Sequence, residues 1–92
     1  MLRIITKQRD HTYHLELHGR VADDWIAVLE GHWRAILDRV PTAIVTVSVS
    51  NVDFIDPDGE RLLRRMAECG VKFDGNGCLN RYVIERIATG MG

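Results

Sequence analysis

The side chains able to do chemistry are few, and they gather in one stretch. Asp53, Asp56 and Asp58 lie close together, with Ser48, Ser50 and Asn51 just before them. Acid–base catalysis by carboxylates needs a pocket, and a cluster in sequence alone reads as a polar loop. Neither serine sits in a G-x-S-x-G elbow, and no nucleophile stands beside a base. The chain therefore reads as a binding protein, not an enzyme. His14, Glu16 and His18 share a strand face and are of the types that hold transition metals. Positions four apart on a strand are roughly 13 Å apart at about 3.3 Å per residue, so the two histidines do not reach one ion together. A solvated strand face is the reading adopted, with no metal and no cofactor. His32, beside Trp33, reads as a boundary residue. Trp25 and Trp33 read as core, and an exposed one would serve as a partner anchor. Gly75-Asn76-Gly77 lacks the spacing and the lysine of a nucleotide loop and reads as a tight turn. Cys69 and Cys78 do not have zinc-knuckle spacing and are expected as reduced thiols.

Composition limits the partners. The 92 residues suffice for one domain, taken as residues 1–92, and hydrophobic residues make up 46% of them. The net charge of −1 leaves no basic face for nucleic acid and no polybasic membrane anchor. No apolar run approaches the ~20 residues of a membrane helix, so no membrane insertion is expected. The start, Met1-Leu2-Arg3-Ile4-Ile5, has no secretion-signal core, which points to the cytoplasm.

The patterning predicts the elements that hold these residues. Residues 2–6 form a first strand. Thr12 to His18 alternate strictly, with Tyr13, Leu15 and Leu17 on one face, and form a hairpin partner that Gly19 ends. A helix over about 21–39 aligns Trp25, Val28, Leu29, Trp33, Ile36, Leu37 and Val40 in one stripe. Ala43 to Val49 is a β-branched central strand that runs into a polar loop. Asp56 is placed to cap a second helix, with Pro57 in its first turn. That helix buries Leu62, Leu63, Met66 and Ala67 and turns Arg61, Arg64 and Arg65 outward. Gly70 stops it. A short strand at 71–74 and a third helix at about 78–88 complete the order β-β-α-β-α-β-α. This is an α/β fold: a mixed four-stranded sheet with three helices on one face.

The segment from Val45 to Leu63, V-T-V-S-V-S-N-V-D-F-I-D-P-D-G-E-R-L-L, resembles the hallmark of STAS domains. In that family of anti-sigma-factor antagonists, a strand leads through Phe-Ile-Asp-Ser-x-Gly into a helix. Leu15 to Val21 resembles the family's L-x-G-x-L strand end, and the likeness runs over about residues 2–88. It implies a protein-binding regulatory module of transcription or stress signalling. Its partner would be an anti-sigma factor or a histidine-kinase-like ATPase. The implied docking surface is the loop and helix start at Asn51, Asp53, Asp56, Pro57, Asp58 and Gly59.

The sequence departs from the family at the switch. The serine that the partner kinase phosphorylates corresponds to Pro57, which has no hydroxyl. The family's strand aspartate corresponds to Ser48. The chain ends about where the family adds a fifth strand and a last helix, which implies a shortened C-terminus. Binding without serine phosphorylation is the consequence. Asp58 either stands in partly for a phosphate or simply charge-matches the helix start, its single charge falling short of the roughly −1.5 to −2 of a phosphoserine. The family also implies two alternatives: a subunit of a transporter or stressosome-like complex, or a small nucleotide or ligand sensor. A short sheet leaves a strand edge open, which implies a homodimer.

Overall fold

The computed structural model describes residues 1–74. Four strands and two helices lie within them: β1 (Leu2–Arg9), β2 (Thr12–Val21), α1 (Trp25–Arg39), β3 (Ile44–Ile55), α2 (Pro57–Glu68) and β4 (Lys72–Asp74). The sheet order is β1-β2-β3-β4. The β1–β2 pair is antiparallel, while β2–β3 and β3–β4 are parallel, so the sheet is mixed as expected. The third helix expected at 78–88, the glycine turn at 75–77 and Cys78 lie outside the described residues.

Register explains which sheet face is covered. Tyr13 pairs with Val45 and Leu15 with Val47, and all four are buried. They meet Leu29, Trp33 and Ile36 of α1 and Leu62, Leu63 and Met66 of α2 in one apolar cluster. The alternate residues His14, Glu16 and His18 are only half-buried on the other face. Two successive crossovers, β2-α1-β3 and β3-α2-β4, step the same way across the sheet, and their common right hand places both helices against one face.

Four local expectations are corrected. Gly19 does not end its strand. Arg20 donates its N–H to the Met1 carbonyl at 3.0 Å, and β2 continues to Val21. Glycine is required at position 19 because its φ is +104° and a Cβ would strike the Met1 carbonyl oxygen. Helix α1 consequently begins at Trp25, since Val21 and Ala22 are buried, with Val21 at the strand end. Val28, assigned to the buried stripe, is exposed, and Trp25 is half-buried while Trp33 is buried. Arg64, expected to face out, is only 17% exposed in its side chain and is held by Glu60 at 3.2 Å.

The ends of α2 follow sequence signals closely. Asp56 caps its start and Pro57 occupies the first turn. At the other end Gly70 has φ +98°. Its N–H reaches the Ala67 carbonyl and the Val71 N–H reaches that of Met66, each at 3.0 Å. This paired arrangement is a Schellman stop, and Val71 is buried beyond it.

Candidate partner-binding site

The segment expected as a polar loop is strand. Asn51 and Asp53 belong to β3, which runs to Ile55. The alternation of Val45, Val47 and Val49 breaks after Val49 because the β2–β3 register slips twice, between Glu16 and His18 and between Gly19 and Arg20. Each slip places an additional β3 residue against β2, and such bulges re-aim side chains at strand ends. Asn51 and Asp53 are exposed as a result, with Val52 buried between them.

Asp56 ties three elements together. One carboxylate oxygen, Oδ1, accepts the Gly59 N–H at 2.6 Å and caps α2. The other, Oδ2, accepts the Asp23 N–H at 3.2 Å from the turn before α1. The Asp56 N–H in turn donates to the Val21 carbonyl at 3.2 Å. Asp23 has φ +56°, a left-handed conformation open to aspartate, and this turns its N–H toward the carboxylate.

Gly59 explains the rest of the Asp-x-x-Gly pattern. A Cβ there would collide with the Val21 carbonyl oxygen and lie 3.0 Å from Val21 Cγ1. The first turn of α2 therefore rests directly on the end of β2. The two segments that resemble the family, Leu15 to Val21 and Phe54 to Gly59, meet in this single contact.

Around the hub, the predicted residues divide by exposure. Pro57 and Asp58 are exposed, and Asp58 pairs with Arg61 one turn along α2. Asp56 is half-buried and Gly59 buried, so both build the surface more than they present it. Three residues beside the hub were not named as site residues from the sequence, although Phe54 lies within the hallmark segment: Phe54, Arg20 and Asp23. Phe54 is 42% exposed, and the Arg20 guanidinium lies 4.4 Å from its ring centroid. Such stacking of a cation on an aromatic face holds both side chains in place. A phenylalanine next to Asp53 in a polar segment was the available signal. Asp23 contributes a backbone N–H, which no side-chain pattern reveals.

Ser48, at the family's aspartate position, is buried and donates to Ser50 Oγ at 3.5 Å. On the half-buried sheet face, His18 Nε2 lies 3.5 Å from Glu16 Oε2. His32 shares a 2.8 Å hydrogen bond with Thr6. Among the described residues no group of three His, Cys, Asp or Glu side chains is placed to hold a metal ion. None of their helices is long and apolar enough to cross a membrane. Cys69 is an exposed free thiol.

No family model and no curated protein matches the chain. Among solved structures, it is similar to a crystal structure of Mglu, with a TM-score of 0.53 and 24% identity over 79% of this chain and 19% of that chain. A second crystal structure, native Mglu in the presence of 4.3 M NaCl, gives a TM-score of 0.43 and 18% identity over 92% of this chain and 27% of that one. The chain thus spans less than a third of the length of these structures. The first likeness concerns the fold alone.

Proposed function

We propose that the chain is a protein-binding regulatory module of the STAS type, docking a partner through the end of β3 and the start of α2. The observation that carries this reading is the exposed Phe54, stacked with Arg20 beside the turn locked by Asp56. A large aromatic held rigid at a surface gains contact area at small entropic cost, and such residues dominate binding energy at interfaces. Asn51, Asp53, Pro57 and Asp58 frame it with exposed polar groups, the usual rim of a docking patch. The partner, by resemblance, is an anti-sigma factor or a histidine-kinase-like ATPase.

The role is binding without a serine switch. Pro57 occupies the phosphoacceptor position, and proline offers no oxygen to a kinase. The place of Asp58 in the first turn of α2, where a carboxylate suits the helix dipole, favours the simpler reading of it as a first-turn charge. Capture from the native cell tests the proposal. Immobilised wild type, Phe54→Ala and Asp58→Lys are compared by quantitative mass spectrometry. A protein recovered by wild type and lost from both variants supports it. Identical recovery by all three refutes it.

A further inference from the structure

Of the three arginines of α2, only Arg61 touches the turn just described, through Asp58. Arg61, Arg64 and Arg65, with Asp58 and Glu68 of the same helix and Ile26 of α1, line a groove of about 510 Å³ between the helices. Their cations are unequally matched. Arg64 is held by Glu60 at 3.2 Å and is mostly buried. Arg61 pairs with Asp58, but both side chains are about two-thirds exposed. Arg65 faces Glu30 at 3.7 Å, and Glu30 sits closer to Arg34, at 3.1 Å. Exposed pairs of this kind contribute little and exchange readily.

We propose that this groove takes an acidic segment of the docked partner, with carboxylates seated on Arg65 and Arg61. Clusters of arginine are a recurrent means of holding acidic motifs, because each guanidinium offers a planar fork to a carboxylate. The spacing selects the shape of the segment. Arg61 and Arg65 are one turn apart, about 6 Å at 1.5 Å rise per residue. Alternate side chains of an extended chain are about 6.6 Å apart on one face. An extended segment with acidic residues at every second position therefore matches the pair. Ile26 supplies an apolar contact across the groove. The inference rests on the docking reading above, since Asp58 borders both surfaces, and it adds the charge and conformation of what docks.

A nitrogen-15 amide titration tests it with two capped peptides, one alternating glutamate with serine and the other lysine with serine. The glutamate peptide is expected to give saturable shifts confined to α2 and the first turns of α1. Arg61→Gln/Arg65→Gln should weaken it by about threefold to thirtyfold, the order of two lost exposed charged pairs. Arg61→Glu/Arg65→Glu should lose the glutamate peptide and bind the lysine peptide. Unchanged binding in the glutamine variant, shifts centred elsewhere, or equal binding of both peptides to wild type would overturn the inference. So would tighter binding of a phosphoserine peptide, which would assign the groove to phosphate. The docking reading fails separately, through partner capture that Phe54→Ala leaves unchanged.

Discussion

Two glycine-to-alanine substitutions in helices should move stability in opposite directions. Gly31 lies in the exposed middle of α1, where an added Cβ would meet nothing within 4 Å. Alanine there removes backbone freedom from the unfolded chain and should stabilise by about 0.5–1 kcal/mol. Gly59 lies in the first turn of α2, where a Cβ would strike the Val21 carbonyl oxygen. That oxygen cannot swing aside, because it accepts the Asp56 N–H. Separating α2 from β2 costs about 1–3 kcal/mol as overpacking. Loss of the Asp56 cap adds about 1 kcal/mol, and the helix-propensity gain returns at most about 1 kcal/mol. The net is a destabilisation of about 1–3 kcal/mol, or roughly 5–20 °C in Tm for a domain of this size. Urea and thermal unfolding followed by circular dichroism read both variants. Gly59→Ala within about 0.5 kcal/mol of wild type, the scatter of an ordinary surface substitution, would refute the close packing of α2 on β2.

Asp56→Ala should destabilise by about 1–2 kcal/mol, since it removes the cap and the link to the Asp23 N–H together, and urea unfolding checks this. Phe54→Ala should change stability by less than about 1 kcal/mol, the worth of an exposed cation–aromatic pair, yet lower partner affinity by about tenfold or more in an equilibrium binding assay. Leu63→Ala, at a fully buried core position, should cost about 2–5 kcal/mol in the same unfolding assay. Asp58→Asn should leave partner affinity unchanged if Asp58 only charge-matches the helix start, and a change of about tenfold would instead mark it as a phosphate substitute.

The legible parts of this molecule are those governed by local rules. The alternation in Thr12 to His18 revealed the strand and its buried face, and Asp56-Pro57 with Gly70 located both ends of α2. The misreadings share one cause. Gly19, Asn51 and Asp53 carry residue types that favour turns, but parallel pairing between β2 and β3 holds Gly19 and Asn51 in strands, and Asp53 is the extra residue carried between the paired Val52 and Phe54. Register slips, which have no local sequence signature, let Asn51 and Asp53 sit in a strand while remaining exposed. The proposed docking surface was read from its helix cap, whereas the stacking of Arg20 on Phe54 went unread because it joins two strands. The link between Val21 and Gly59 is likewise a contact between distant segments, visible only once β2 and α2 are brought together.

The most direct test of the docking proposal is the footprint of the captured partner, measured by amide hydrogen exchange on the chain alone and in complex. Protection centred on residues 51–59, with Arg20 and Asp23 included, is the expected result. Protection confined to the sheet face of His14, Glu16 and His18, with residues 51–59 exchanging as in the free chain, would contradict it.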